Sequence, residues 1–400
     1  MDQKNKEETL DMNDVDSNKA YEVAGQVAAN AFSKDTEPPD FAAIDPNKKL
    51  PPHKRLAAWH KNLGKKQKIA LLVVALLIIG GGCFLAYALL KDNSTPLSQS
   101  AVIKKPETVP SLLTGLPVKP EVNKKQVTAI MIENSPDARP QSGLRDAGLV
   151  YEAVAEGGIT RFLVLFQDTD SDYIGPVRSV RPYYLDWLVP FDGAVAHVGG
   201  SPTALKQIRD QNIKDLDQFS NSQAYQRVTN RYAPHNVYTS TKNLNKVESQ
   251  KGYKKSQYIG FAHLPKEQKA TKVTAKNITM NLSGPLFNVG YKYDSVSNTY
   301  KRSEGGQPHI DEKTKKQLSP KVVVALVMNR TQDGVYSVYR TTGEGSAFIF
   351  QGGTVIKGKW TKKDRKKQFS FVDANNKVIK LSPGKAWVTV VENGAVKYSP

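Results

Sequence analysis

The chain has 400 residues but only one cysteine, Cys83. Without a second thiol it cannot form an internal disulfide, so no cross-link supports its fold. The nucleotide-binding patterns GxGxxG and GxxxxGKS/T are both absent, which excludes the commonest phosphate-binding loops. The histidines beyond residue 91 show no close HxxxH-type pairing. The sequence therefore predicts no metal site and no cofactor.

One apolar run is as long as a membrane-spanning helix. Residues 69–90 carry no charge, and a bilayer-spanning helix requires roughly 20 such residues. Eight basic side chains lie between residues 48 and 68, whereas Lys91 is the only basic residue directly after the run. Because basic residues favour the cytoplasmic side, the pattern predicts a single-pass membrane protein. The N-terminus would be cytoplasmic and the bulk of the chain extracytoplasmic.

A cleaved lipoprotein signal is the competing interpretation of this run, because three small residues, Gly80 to Gly82, precede Cys83. A secretory signal, however, begins within the first few residues and has a shorter apolar core. Here a long polar tail comes first, and Gly80 stands where lipoprotein signals carry Leu. The uncleaved helix is therefore the favoured interpretation.

Charge is unevenly distributed along the chain. The net charge is −6 for residues 1–41 and +7 for residues 42–90, which leaves +18 for residues 91–400 out of +19 overall. Outside a cell, the anionic partners of a basic surface are wall polymers, phosphate-bearing glycans and lipid head groups, rather than nucleic acid. We therefore expect an anionic cell-wall polymer or glycan as partner, with a merely solubilising surface as the alternative.

Composition divides the chain into five parts. Residues 1–68 form a polar tail typical of disorder, which offers a site for a cytoplasmic protein partner. The spanning helix of 69–90 and a Ser, Thr, Pro and Lys-rich linker of 91–124 follow. Buried-type strands and capped helices indicate an α/β (α+β) domain over 125–265, and short β-type segments indicate a second, β-rich domain over 277–395. The predicted fold class is thus a transmembrane helix plus these two extracytoplasmic domains.

A hairpin is predicted from two β-type runs separated by Gly157 and Gly158. A regular register pairs Glu156 with Ile159 and Val154 with Arg161, so that Arg161 lies between Glu152 and Glu156 on one face. At about 3.3 Å per residue the two carboxylates are roughly 13 Å apart, too far for a glycosidase pair. The cluster is either a structural ion triad or part of a binding site.

Two loops resemble anion sites. Arg178 and Arg181 precede Pro182, which suits the first turn of a helix, where guanidinium groups and peptide N–H groups attract phosphate or carboxylate. Internal pairing of these arginines with Glu133, Glu152 or Glu156 is an equal alternative. A strand ending at His197 leads through Gly199 and Gly200 into a helix capped by Ser201.

The candidate residues share polar chemistry at strand ends, turns or loops. The ligand-binding candidates are Arg139, Arg161, Arg178, Arg181, His197, Gly199, Gly200, Ser201 and Asn236. The weaker catalytic candidates are Glu133, Glu156, Asp186, His197 and His235, the last of these in an aromatic loop of the kind that often carries binding. Arg302, His309 and Asp311 form a lesser cluster near the Gly305-Gly306 turn.

The motifs AIMIENSPDARPQSGL, YEAVAEGGITRFLVLF, IGPVRSVRPYYLDWL and AHVGGSP closely resemble the first domain of the YerB-like bacterial envelope lipoproteins. The segment from GEGSAFIFQGGTVIKGKW to GKAWVTVV resembles their second domain, so that the match spans nearly all of residues 110–395. The resemblance implies bacterial origin and an exported, membrane-tethered role. It assigns no catalytic residue, because both domains are of unknown function.

Three functions therefore stay open. The first is binding of an anionic wall component or scaffolding of envelope proteins. The second is an envelope hydrolase or transferase in which a carboxylate and a histidine act as acid and base. The third is an adaptor whose tail binds a cytoplasmic protein.

Overall fold

The computed structural model describes residues 64–66, 69 and 107–400. Apart from Ile69, the predicted spanning segment 69–90 lies outside the described residues, as do nearly all of the tail and much of the linker. Among the described residues, no helix is both long and apolar enough to cross a membrane. The predicted fold class is wrong, because residues 107–400 are mostly β-sheet with three short α-helices, instead of an α/β domain followed by a separate β-rich domain.

The elements of residues 107–400 follow one another in chain order. The strands are β1 Val109–Pro110, β2 Pro117–Val118, β3 Thr128–Glu133, β4 Leu149–Glu156, β5 Ile159–Phe166, β6 Ala194–His197, β7 Asp215–Asp217, β8 Tyr225–Arg227, β9 Val237–Thr239, β10 Asn277–Met280, β11 Val289–Asp294, β12 Thr299–Glu304, β13 Gln307–Pro308, β14 Val322–Val327, β15 Arg330–Asp333, β16 Tyr336–Tyr339, β17 Gly343–Gln351, β18 Thr354–Lys362, β19 Ser370–Val372, β20 Ala386–Val391 and β21 Val396–Ser399. The α-helices are α1 Pro182–Leu188, α2 Pro202–Asp210 and α3 Thr241–Gln250. Short 3-10 helices cover Val122–Lys124, Pro136–Ala138, Val189–Phe191, Ser222–Ala224 and Pro285–Phe287.

A twelve-stranded sheet organises the fold. Ten of its strands run in the order β19-β18-β17-β14-β20-β4-β5-β3-β6-β7, with β16 on β4 and β15 on β16. Strand β20 lies parallel to both neighbours, so that Val388 is opposite Val324 of β14 and Tyr151 of β4. The C-terminal strands therefore extend the same sheet as the N-terminal strands. A five-stranded sheet, β13-β12-β11-β10-β21, and two strand pairs complete the β-structure.

Both faces of the large sheet are covered, which explains why its interior strands are uniformly apolar. Ala129 and Met131 of β3 face a core that includes the aromatic side chains of α1. The alternate residues, Ile130 and Ile132, face a second core formed with α3 and the five-stranded sheet. The apolar runs in the sequence thus reflect two-sided burial within one sheet, not alternation with helices.

Several local predictions are confirmed. The apolar run at 126–132 forms β3, which lies between β5 and β6 inside the sheet. Pro182 opens α1. Ser201 caps α2, where its Oγ accepts a hydrogen bond from the N–H of Ala204 at 3.3 Å.

The hairpin differs from its predicted register at one residue. Gly157 and Gly158, with φ of +55° and +79°, form the two-residue turn, and Glu156 pairs with Ile159 as expected. An irregularity between Val154 and Glu156 then shifts the pairing, so that Arg161 is opposite Ala153 instead of Val154. A bulge of this kind adds one residue to one strand and reverses the faces beyond it. Of the predicted Glu152–Arg161–Glu156 cluster, the Arg161–Glu156 pair forms, at 2.6 Å, but the inclusion of Glu152 is wrong, because Glu152 and Arg161 lie on opposite faces.

Candidate functional site

Three parallel strands end at one edge of the large sheet. Glu133 ends β3, His197 ends β6 and Asp217 ends β7. A short segment runs between the ends of β3 and β6. In this segment the N–H of Arg178 donates to the carbonyl of Met131 at 2.9 Å, and its carbonyl accepts from the N–H of Val198 at 3.1 Å. In open α/β sheets, ligands bind at the carboxyl ends of parallel strands, and β3, β6 and β7 reproduce that arrangement locally within this mixed sheet.

Four side chains meet beside β3 and form what we call the Glu133 cluster: Glu133, Ser135, Arg178 and His235. Glu133 is buried, with 3% exposure. Its Oε1 accepts a hydrogen bond from Ser135 Oγ at 3.0 Å, and its Oε2 lies 2.9 Å from His235 Nδ1. Arg178 Nε forms an ion pair with the same Oε2 at 3.2 Å. The cluster combines a carboxylate, an imidazole and a guanidinium within direct contact.

The carboxylate orients the imidazole. Because His235 Nδ1 faces Glu133, the other ring nitrogen, Nε2, points away from it, and no described residue forms a hydrogen bond with Nε2. Two bonds from Arg231, to the carbonyls of Asp137 at 2.9 Å and Pro140 at 2.8 Å, fix the loop that carries His235. With a neutral ring, Nε2 is a surface acceptor, and with a charged ring it is a donor.

The two Nη groups of Arg178 are available as hydrogen-bond donors. Its Nε is close to Glu133, but the contact lacks hydrogen-bond alignment, and within residues 107–400 its two Nη groups have no hydrogen bond or ion pair. The side chain is 24% exposed. A guanidinium in this position can bind a phosphate or carboxylate through two parallel N–H bonds.

Arg161 and Arg181 are both paired internally. For Arg181 with Glu156, as for the Nε of Arg178 with Glu133, this is the internal pairing that the sequence left open. Arg161 Nη2 donates to Glu156 Oε1 at 2.6 Å, and Arg181 Nε donates to Glu156 Oε2 at 2.8 Å. Their remaining contacts include the carbonyls of Ser179 and Val180. Burial raises the pKa of Glu156, but the two guanidinium groups outweigh it and hold the pKa below its ordinary value. Burial is also the main cause that lowers the pKa of Arg181.

The polar groups of the glycine turn after β6 also have hydrogen-bond partners within the protein. His197 is fully buried, with Nδ1 2.8 Å from the carbonyl of Gly199 and Nε2 2.9 Å from Asp215 Oδ1. The N–H of Gly199 donates to Asp217 Oδ1 at 2.9 Å. Gly200 packs against Val180, and Ser201 Oγ is the cap of α2. Burial raises the pKa of Asp215, yet the hydrogen bond and charge of His197 produce a net decrease.

Three further candidates connect segments of the fold. Arg139 donates to the carbonyl of Leu286 at 2.8 Å and stacks on Phe287, whose ring centre is 5.0 Å away. Asn236 accepts a hydrogen bond from Arg227 at 2.9 Å next to the β8–β9 pair. Asp186 accepts from Gln207 and Thr341 and pairs with Arg365.

A buried network was not predicted as a unit. Arg302 donates to Glu152 Oε1 at 2.9 Å, to Tyr291 Oη at 2.7 Å and to His309 Nδ1 at 3.0 Å. Arg302 and Glu152 are fully buried. Asp311, which was grouped with them, instead accepts from the N–H of Gly143 at 2.9 Å. One sequence signal for the network was Glu152, a charged residue among apolar and aromatic neighbours in β4. Arg302 lies in β12, which is largely polar, and gave no such signal.

Comparisons with known proteins agree with the motif resemblance. A family model described as "Protein of unknown function (DUF3048) N-terminal domain" matches residues 113–254, and the model of its C-terminal domain matches residues 278–388. The Bacillus subtilis (strain 168) protein named "Putative lipoprotein YerB" is 32% identical over 297 residues, which cover 72% of this chain and 88% of that protein. The crystal structure of the YerB protein from Bacillus subtilis, 30% identical, matches with a TM-score of 0.66 and covers 74% of this chain and 100% of that one. The predicted resemblance is confirmed, and the chain belongs to the YerB-like family, whose two domains are of unknown function.

Proposed function

We propose that this chain is an envelope-associated protein that binds an anionic, phosphate- or carboxylate-bearing wall glycan at the Glu133 cluster. The observation that carries the proposal is the pair of unpartnered Nη groups of Arg178 beside the outward-facing Nε2 of His235. Envelope association is supported by the lipoprotein name of the Bacillus relative. The net charge of +18 over residues 91–400 favours an anionic partner.

The cluster suits a ligand that carries both an anion and hydroxyl groups. Arg178 and His235 supply donors for the anion, and Glu133 supplies an acceptor next to them. Two exposed aromatic side chains lie on neighbouring segments: Tyr232, 90% exposed, is three residues before His235, and Phe219, 71% exposed, lies beside Gly199. Aromatic rings of this kind stack on the apolar faces of sugar rings, so the surrounding surface is compatible with a glycan.

The test compares two arginines in the full chain. Binding of phosphorylated dextran, a glycan that carries phosphate groups, is measured by titration calorimetry at two salt concentrations for the unaltered chain, Arg178→Gln and Arg209→Gln. A charge-assisted hydrogen bond contributes about 1.5 to 3 kcal/mol, so Arg178→Gln is expected to weaken binding roughly 10- to 100-fold. Arg209 is an exposed residue of α2, and its variant is expected to bind within about twofold, as for a change that removes no direct contact.

Two outcomes reject the binding proposal. One is the absence of any salt-sensitive binding by the unaltered chain. The other is an equal loss in the Arg178 and Arg209 variants, which would indicate a general effect of surface charge with no defined site.

Acid–base catalysis is a second candidate, favoured by the 2.9 Å contact between Glu133 and His235. A carboxylate that holds one imidazole nitrogen leaves the other ready to move a proton. Ser135 does not act at that nitrogen, because its Oγ donates to Glu133 and lies 3.4 Å from Nδ1. A water molecule would then be the nucleophile.

The catalytic candidate has its own measurement. The unaltered chain and His235→Gln are incubated with purified wall glycan, and new reducing ends and released phosphate are counted. Turnover that His235→Gln abolishes while glycan binding is retained supports catalysis. Binding without any turnover leaves the chain a binding protein.

A further inference from the structure

A cavity of about 260 Å³ lies at the other end of the strands of the large sheet from the Glu133 cluster. It is lined by the first residues of β20, Ala386 and Trp387, and by Val150 of β4, which runs parallel to β20. The segment at 318–321 and the loop at 144–147 close its other sides. The cavity is separate from every residue discussed above as a binding candidate.

The inner wall of the cavity is apolar. Leu144, Val150, Leu318 and Trp387 line it, and each is 3% exposed or less. The Trp387 Nε1–H is turned away to Glu152 Oε2, at 2.8 Å, so the indole offers the cavity no free polar atom. This wall suits the hydrocarbon part of a ligand.

The rim of the cavity is cationic. Arg145, Lys321 and Lys385 all line it, and no Asp or Glu does. Lys321 already pairs with Glu267, whereas neither Arg145 nor Lys385 has an ion pair with any residue in the described part of the chain. Two basic side chains are thus available for an anion.

Of these two side chains, Lys385 gives the stronger argument for a bound anion. Its Nζ contacts the backbone carbonyl of Arg145. The carboxylates of Asp146, Asp168 and Asp311 act on it only from beyond ion-pair distance. Burial is the main cause that lowers the pKa of Lys385. An ammonium group that is largely removed from water is costly without a counter-charge, and a bound anion would provide one. Arg145 donates to the carbonyl of Gln317 at 3.3 Å through Nη1, which leaves its other guanidinium N–H groups free for the same anion.

We propose that this cavity binds a small amphipathic anion, with a phosphate or carboxylate on Lys385 and Arg145 and a hydrocarbon body against Leu144, Leu318 and Trp387. Sites for drug-sized ligands begin at roughly 300 Å³. A cavity of about 260 Å³ therefore holds a short-chain amphiphile or the end of a longer lipid, not a whole phospholipid.

The first experiment measures binding to the full chain. Octyl phosphate and inorganic phosphate are titrated into the unaltered chain, Lys385→Met and Lys397→Gln, where Lys397 is an exposed residue of β21. We expect octyl phosphate to bind at least tenfold more tightly than inorganic phosphate. Lys385→Met should weaken octyl phosphate at least tenfold, Lys385→Arg should restore it, and Lys397→Gln should leave it within twofold. Equal affinity for the two phosphates, or no effect of Lys385→Met, overturns the proposal.

A second measurement requires no variant and so does not depend on how Lys385→Met folds. Amine acetylation of the unaltered chain is followed by mass spectrometry with octyl phosphate, with phosphatidate vesicles or with phosphatidylcholine vesicles. Selective protection of Lys385 over Lys397 by phosphatidate vesicles assigns a lipid source, and protection by octyl phosphate alone assigns a soluble anion. No selective protection by either overturns the cavity as an anion site. Arg178→Gln is expected to leave both results unchanged, which separates this proposal from the glycan site.

Discussion

Removal of the Arg302 guanidinium should be among the most damaging single changes to this fold. Arg302 and Glu152 are both fully buried and lie 2.9 Å apart, between the large sheet and the five-stranded sheet. The guanidinium also stacks on Trp387, with its carbon 4.4 Å from the ring centre. In Arg302→Met the Glu152 carboxylate keeps the hydrogen bond from Trp387 but loses the opposite charge.

The expected loss follows from that uncompensated charge. Breaking a buried ion pair from one side costs about 3 to 5 kcal/mol, a large part of the roughly 5 to 15 kcal/mol by which a domain is stable. The Tyr291 hydroxyl and His309 Nδ1 also lose a donor in the variant. In Arg302→Met with Glu152→Gln, the Arg302–Glu152 pair is removed from both sides, and of the two buried carboxylates beside Arg302 only Glu304, at 3.6 Å, still loses its partner. The loss should therefore be smaller than the sum of the single losses by about 2 kcal/mol.

Urea denaturation followed by far-UV circular dichroism gives the free energy of unfolding for each variant. Arg209→Met serves as the matched control, because Arg209 is exposed on α2 and surface changes usually stay within about 0.5 kcal/mol. A loss below about 1 kcal/mol for Arg302→Met, against the 3 to 5 expected, would refute the reasoning. Strictly additive losses in the double variant would do so as well.

Other predictions concern titration, the hairpin turn and a helix cap, each read as a free energy of unfolding. Burial raises the pKa of Glu304 from 4.5 to about 7, so the native state holds a proton that the unfolded chain has released. Stability should therefore fall as pH rises from 4.5 to about 7, and Glu304→Gln should reduce this slope; an unchanged slope would reject the assignment. Gly157→Ala should cost about 1 kcal/mol because of its positive φ, whereas Gly284→Ala, with φ near −167° and open space around it, should cost nothing. An equal cost at both glycines would exclude backbone strain as the cause. Ser201→Ala should cost about 1 kcal/mol through loss of the cap on α2, and no change would show that its hydrogen bond to Ala204 contributes little.

Sequence patterns predicted the local structure well because local chemistry determines it. The uniform apolar residues of β3, the Gly157-Gly158 turn and the Ser201 cap each depend on a few neighbouring residues. The bulge near Ala155 has no such signal, and one extra residue there was enough to place Glu152 and Arg161 on opposite faces. The fold class was mistaken for a related reason, since apolar runs do not reveal that strands distant in sequence share one sheet.

The candidate site was predictable only in part. His235 and Glu133 were both singled out, but 102 positions separate them, and no pattern in the sequence indicates that they meet. The arginines were correctly identified as charged groups near turns, yet the sequence did not decide between binding and internal pairing. In the structure Arg181 pairs with Glu156 and Arg178 Nε pairs with Glu133, while the Nη groups of Arg178 have no described partner.

The parallel pairing of β20 with β4 and β14 has a consequence for any attempt to divide the chain in two. If the chain were cut between residues 265 and 277, one fragment would expose the edge of β4 and the other the edge of β20. An exposed interior strand edge is a template for pairing with other chains, so each fragment alone should self-associate. Produced together, the fragments should instead recombine into one sheet. The two halves are thus expected to fold as complementary parts of one sheet.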